Sequence, residues 1–243
     1  MDMKIKGELS SRVKCTQCSL FTKCMPHGLN VNEMTDIDAL VTQRVKVKRG
    51  MSLFRQSSQF NSMYVVRTGY FKTVICNENG SDQVLGFYTR SDYLGFGSVL
   101  NEGHNCSAYA LEDSEVCIIP YLKVDEIAKT IDGLQAHIRK LLSKEIAREN
   151  LEMLTLGSLK AEGRIAIFLL NLSARHHERG YSRTDLNLSM SRQDIASFLG
   201  LTHETVTRGL SKFIKDGIIL VDNRRIVIVD HDMLDLVINR ENS

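Results

Sequence analysis

The sequence predicts an α+β chain: an N-terminal antiparallel β-roll, then one long helix, then a C-terminal helix-turn-helix domain closed by a hairpin wing. Three observations carry that expectation. Short apolar or alternating runs, split by Gly, Asn, Asp and Ser, fill residues 29–124. A stretch without Gly or Pro runs from Gln135 to Leu156. Near the C-terminus, the two helix-capping residues Ser191 and Thr202 bracket Gly200.

The bulk properties narrow the class. A length of 243 residues suits two domains. Hydrophobic residues at 43% and charged residues at 25% fit a soluble globular protein. No uncharged apolar run reaches the ~18 residues of a membrane span. The N-terminal residues 1–14 lack the apolar core of a signal peptide. The expected location is therefore the cytoplasm, where thiols stay reduced. Net charge is +2, and residues 159–243 hold 12 Lys/Arg against 11 Asp/Glu. Bulk charge thus gives no evidence for nucleic acid, and any such reading must rest on particular residues. No nucleophile–base motif or phosphate-cradling glycine loop is present, so an enzyme is not expected.

Four zones follow in order. Residues 1–28 form a cysteine-bearing arm. In the zone 29–124, Tyr64–Val66, Phe71–Cys76, Val84–Phe87 and Val116–Ile119 have strand length and pattern. Asn79-Gly80 is a hairpin signal, and the regular spacing suggests an antiparallel barrel or roll. Residues 125–158 read as a dimerisation helix, with Asp132 and Gln135 in capping-box spacing. Leu142, Ile146, Glu149, Met153 and Leu156 step by 4, 3, 4, 3, the seam of a two-stranded coiled coil. The competing reading is a helix packed on its own domain. Residues 159–243 hold further helices and end in Ile218–Val221 and Arg225–Val229, joined through Asn223-Arg224 as a wing.

The segment Ser191–Arg208 has the sharpest local chemistry. Ser191 caps a first helix, and Ile195, Phe198 and Leu199 share its apolar face. Gly200 suits the left-handed residue after that helix, and Thr202 caps the second. On the second helix Glu204, Thr207 and Arg208 share one face, while Val206, Leu210 and Phe213 point inward. Arg can bond a guanine at two acceptors, Glu can accept from a cytosine amino group, and a Thr methyl can touch thymine. Ser191, Arg192 and Thr202 are the flanking DNA-contact candidates. The bland alternative is an amphipathic helix with a solvated Glu–Arg pair.

Six cysteines are the compositional anomaly: Cys15, Cys18, Cys24, Cys76, Cys106 and Cys117. In a cytosolic chain that count suggests metal or redox chemistry before structural disulfides. Cys15-x2-Cys18-x5-Cys24 brings three thiols within reach of one centre. By spacing alone, structural zinc, a disulfide sensor and an iron–sulfur cluster remain open. Cys76 reads as a small buried hydrophobe. His104, His176 and His177 are weaker ligand candidates; the last two suit a helix C-terminus, where a cation is favoured.

Together the cysteine arm, roll, long helix and the motif Glu204-Thr-Val-Thr-Arg208 resemble the cyclic-AMP receptor/fumarate–nitrate regulator (CRP/FNR) superfamily over the whole chain. The resemblance implies a cyclic-nucleotide-binding-like roll, a dimerisation helix and a winged helix-turn-helix. In the nucleotide-binding branch, Glu and Arg hold the ribose and phosphate. Here Phe96 and Cys106 stand at those positions, so cyclic AMP is not expected to bind. The arm spacing is similar to that of the fumarate–nitrate branch. That resemblance implies a [4Fe-4S] cluster on Cys15, Cys18, Cys24 and Cys117; the left-over Cys106 stays open as a substitute for the last.

It further implies an oxygen-responsive homodimer that binds a TTGAT-type palindrome in double-stranded DNA without oxygen, with RNA polymerase as a partner. One departure is Thr207, where that branch carries Ser. Glu149 in the seam suggests a switch, because two facing carboxylates repel; alternatively it pairs with Arg148 across the dimer. The rival readings are a cluster-free regulator sensing another small molecule or thiol redox state, and a zinc-stabilised DNA-binding module.

Overall fold

The computed structural model describes residues 9–10, 14–26, 28–41, 43–76, 80, 82–99 and 103–241. The chain divides into two compact units, residues 1–145 and 146–243, with the division inside the long helix.

The first unit starts with the arm: strand β1 (Leu9–Ser10), a 3-10 turn (Cys15–Gln17) and helix α1 (Phe21–Cys24); helix α2 (Val31–Leu40) follows it. Asn30 caps α2 in a full capping box with Glu33, and Ile37 and Leu40 face inward. The roll follows with β2 (Gln43–Val47), β3 (Ser52–Phe54), β4 (Ser62–Thr68), β5 (Tyr70–Cys76), β6 (Asp82–Thr89), β7 (Tyr93–Leu94), β8 (Ser107–Ala110) and β9 (Ser114–Pro120). Two antiparallel sheets result, in the orders β1-β2-β9-β4-β7 and β3-β8-β5-β6. All four strands expected from pattern are present. β5 and β6 pair as a hairpin; Asn79 of the expected turn lies outside the described residues.

The period of 2 along a strand explains how the roll serves a site outside itself. Tyr64 and Val66 of β4 and Val116 of β9 join the core between the sheets, with Phe54 and Phe71. Their neighbours Met63, Val65, Cys117 and Ile119 face the other way, into a second core with Leu20, Cys24, Ile37 and Leu40. The larger sheet is thus buried on both faces, so β4 and β9 read as continuous apolar runs. Gly69, at φ 91°, makes the bend between β4 and β5; a Cβ there would sit 2.7 Å from the Ser114 Cα.

Two expectations at the long helix are corrected. Helix α3 (Tyr121–Ala128) is separate, and helix α4 runs Asp132–Ser158 rather than from 125. Thr130 closes the break by donating to the Ile127 carbonyl at 2.9 Å. Asp132 is the first helical residue rather than the cap, and the Gln135 amide donates to the Ala128 carbonyl at 2.7 Å. Gln135 satisfies an orphan acceptor near the end of α3, so the capping box does not form.

The second unit holds the rest of α4, then α5 (Ala161–Glu178), β10 (Asp185–Asn187), α6 (Arg192–Leu199), α7 (His203–Lys215), β11 (Ile219–Asp222), β12 (Arg225–Ile228) and α8 (His231–Glu241). β11 and β12 form the expected wing, and β10 adds a third strand in the order β10-β12-β11. Ile165, Leu169, Leu186, Leu199, Phe213 and Ile226 are almost wholly buried and make its core. Among the described residues no helix is long and apolar enough to cross a membrane.

Candidate metal centre and nucleic-acid interface

Cys15, Cys18, Cys24 and Cys117 line one pocket, with Leu20, Val65, Arg44 and Arg67 among the other walls. Short local bonds shape the arm side. The Cys18 N–H donates to the Cys15 carbonyl at 2.9 Å, and the Phe21 N–H to the Cys18 carbonyl at 3.0 Å. Asp38 of α2 accepts from the Thr16 N–H at 2.9 Å and from its hydroxyl at 2.7 Å, which pins the first turn. The Cys24 carbonyl accepts from the Tyr93 hydroxyl and, at 3.1 Å, from His137 Nε2 of α4. Because a carbonyl only accepts, His137 carries its proton on Nε2. The core behind the arm includes Ile131 and Leu134, so it continues into the first turn of α4.

On the roll side, Cys117 of β9 is the cross-strand partner of Arg44 in β2 and of Val65 in β4. Burial pushes the Cys15 thiol up to about 12, reinforced by Cys117, Asp38 and Cys18 and opposed by Arg44. Burial, then Cys117 and Cys18, push Cys24 up to about 12. Cys117 is raised by burial and held back by the neighbouring Arg44 guanidinium. Ligand binding at these thiols must therefore displace protons, which couples it to pH. Among the described residues no three His, Cys, Asp or Glu side chains converge on a single ion.

The remaining cysteines differ from expectation in one case. Cys106 is partly buried and packs against the inter-sheet core. Cys76 is exposed rather than buried, because it ends β5 at the open end of the hairpin, opposite Asp82. Phe96 packs against Tyr93, with ring centres 5.3 Å apart, and borders the arm-side core. His104 is 3% exposed and stacks on Phe54 with ring centres 3.9 Å apart; burial lowers its imidazole to about 4. Arg44 and Arg67 are pocket residues that sequence reasoning missed. No motif marks them; only the pairing of β2 with β9 brings Arg44 to Cys117.

On α4, Leu142, Ile146, Glu149, Met153 and Leu156 are all exposed, with Met153 at 67% and Ile146 at 57%. Leu142, Ile146, Met153 and Leu156 thus form an apolar stripe that is exposed among the described residues. Arg148 pairs with Glu152 one turn along the same helix, at 3.6 Å.

The helix-turn-helix matches its expected geometry closely. Ser191 and Asp194 form a capping box on α6, Gly200 ends α6 at φ 62°, and the Thr202 hydroxyl accepts from the Thr205 N–H at 3.2 Å. Ile195, Leu199, Val206, Leu210 and Phe213 are buried, and Phe198 is partly so. Glu204 and Arg208 are exposed, as are Ser191, Arg192 and Thr202. The Glu204 backbone N–H and the Thr202 hydroxyl hold the Glu204 carboxyl below its ordinary range. Arg208 Nη2 donates to the Thr205 hydroxyl at 3.4 Å. Thr207 is half-buried, its hydroxyl oxygen enclosed and without a partner among the described residues.

Two family models match these parts: the cyclic nucleotide-binding domain over residues 44–130, and the Crp-like helix-turn-helix domain over residues 163–236. Roll, long helix and winged helix-turn-helix together define a regulator of the CRP type. The solved structure of FixK2 from Bradyrhizobium japonicum superposes with a TM-score of 0.73 and 26% identity, over 80% of this chain and 96% of its own. The transcriptional regulatory protein btr of Bordetella pertussis is 38% identical over 93% of this chain and 94% of its own length. The transcriptional activator protein anr of Pseudomonas aeruginosa is 37% identical over 93% of each. The fumarate and nitrate reduction regulatory protein of Vibrio cholerae is 35% identical over 90% of this chain and 88% of its own. The chain belongs to the fumarate–nitrate (FNR) branch of the CRP/FNR transcription regulators.

Proposed function

We propose that the protein is an oxygen-responsive regulator. In this reading Cys15, Cys18, Cys24 and Cys117 hold a [4Fe-4S] cluster, and a homodimer binds a TTGAT-type palindrome when oxygen is absent. The observation that carries this reading is that four thiols, three from the arm and one from β9, line a single pocket. Tetrahedral zinc needs its sulfurs about 2.3 Å from one point. A cluster seats each thiolate on a different iron, which suits thiols spread around a pocket. When bound, the group supplies oxygen-sensitive iron chemistry and cross-links arm to roll.

The protein's own residues connect that link to dimerisation. Cys24 is bonded through its carbonyl to His137, and the arm core includes Ile131 and Leu134. An ordered arm therefore braces the start of α4, whose exposed stripe is the dimer seam in this reading. Glu149 weakens the seam, because a second copy brings a second carboxylate. Two recognition helices then meet half-sites about one helical turn apart, with Glu204 and Arg208 as base readers and RNA polymerase as the downstream partner. Cyclic AMP is not the effector, because Phe96 and Cys106 supply neither the carboxylate nor the guanidinium that a nucleotide needs.

Anaerobic reconstitution with ferrous iron and sulfide tests the reading. The expected product is brown, with about four iron and four sulfide per chain. Alanine at Cys15, Cys18, Cys24 or Cys117 should abolish loading, and Cys76→Ala should not. Full loading of Cys117→Ala with loss in Cys106→Ala would move the fourth ligand to Cys106. One tightly held zinc per chain and no sulfide would refute the cluster.

A further inference from the structure

Arg44 presents an energetic oddity. It is 8% exposed, and arginine is almost never fully buried unless paired. Its Nε has no hydrogen-bond partner, and among the described residues no carboxylate pairs with it. The acid bordering Cys15, Asp38, directs both oxygens to Thr16. Its neighbour in the pocket wall, Arg67, is already neutralised by Glu115 at 2.5 Å. Arg44 instead lies directly across the β2–β9 ladder from Cys117 and lines the same pocket, where its charge favours the Cys117 thiolate. A cation has been taken out of water and set beside a pocket lined by thiols.

We propose that Arg44 is the counter-charge of the bound cluster, a positioning residue that donates to thiolate or sulfide sulfur; the inference rests on the cluster reading above. A four-iron core with four thiolates carries net negative charge, and hydrogen bonds to its sulfurs and the surrounding charge tune it. The guanidinium offers five N–H donors in a rigid fork. Its Nε–H is unused in the chain as it stands. Without a cluster, a buried and incompletely satisfied charge destabilises the fold. With one, the same charge faces an anion. Arg44 is thus unfavourable in the empty protein and favourable in the loaded one.

That opposition in sign separates the proposal from a merely structural role. The test uses full-length Arg44→Met, of similar volume without charge or donors, beside Arg44→Lys, which keeps charge but loses the fork. Empty protein is melted without oxygen. Reconstituted protein is then assayed for iron and sulfide per chain and for the rate of iron release to a chelator. Empty Arg44→Met should melt higher than wild type. Once loaded, it should lose iron about 10- to 100-fold faster, the range found for residues that support metal ligands. Arg44→Lys should fall between the two in iron release, and it carries the test if the Met variant does not fold.

Wild type that takes up no iron and sulfide overturns the cluster reading and this inference with it. Wild type that loads while both variants retain iron equally well overturns the inference alone. An Arg44→Met protein that melts lower when empty and loses iron in proportion makes Arg44 a structural residue, which also overturns it.

Discussion

Replacing His104 by Phe should remove most of an acid-induced loss of stability from the roll. His104 is 3% exposed, stacks on Phe54 at 3.9 Å, and has its Nδ1 3.2 Å from the Ser98 hydroxyl. Burial lowers the imidazole from 6.5 to about 4. Between those values the unfolded chain binds the proton and the folded chain does not, so stability falls as pH falls. The contribution is intact above about pH 6.5 and is lost progressively down to about pH 4. Linkage gives a loss of about 1.4 kcal/mol at about pH 5.5 and about 2.5 kcal/mol at about pH 4.5. The Phe variant keeps the stack and cannot take up the proton. Urea unfolding of the cluster-free protein, followed by tyrosine fluorescence, isolates the effect. Six of the seven tyrosines lie in residues 1–145 and there is no tryptophan, so the signal reports the roll. Parallel pH profiles for wild type and His104→Phe would refute the reasoning.

Two further outcomes follow from the dimer and DNA readings. Glu149→Leu should tighten the cluster-free dimer about tenfold or more, or about 1.4 kcal/mol; sedimentation in air that shows an unchanged monomer fraction removes Glu149 from the switch. Arg208→Ala should cost about 1–3 kcal/mol per half-site and flatten the preference at one guanine. A binding-site selection without oxygen should enrich TTGAT over TGTGA, since His203 precedes Glu204 where the cyclic-AMP branch has a guanine-reading Arg. Equal weakening on all sequences would make Arg208 a backbone contact.

The caps, turn and core positions of the helix-turn-helix were legible because their determinants are local. Ser191, Gly200 and Thr202 act on backbone groups within a few residues of themselves, and Val206, Leu210 and Phe213 obey helical spacing. Four strands of the roll, β4, β5, β6 and β9, were legible for the same reason, since alternation and turn residues act at short range; β2, β3, β7 and β8 were not named. Helix α2 was also written locally, in the capping pair Asn30 and Glu33, but it was absorbed into a zone of strand-like runs. Separating α3 from α4 took tertiary contact, because Gln135 reaches back to Ala128 instead of capping its own helix. Cys76 was misjudged because its burial depended on where β5 ends relative to its neighbours.

What the sequence alone determined is the set of local instructions: caps, turns, periodicities and the spacing of three cysteines in the arm. The tertiary structure alone decided which distant groups share the pocket. Cys117 stands opposite Arg44 because of strand register, and Val116 faces away because successive strand residues point to opposite faces. A one-residue slip of β9 would have turned Cys117 into the inter-sheet core and taken it from the arm. Register between β2 and β9 is set by two buried cores acting at once, and no short stretch of sequence contains that information.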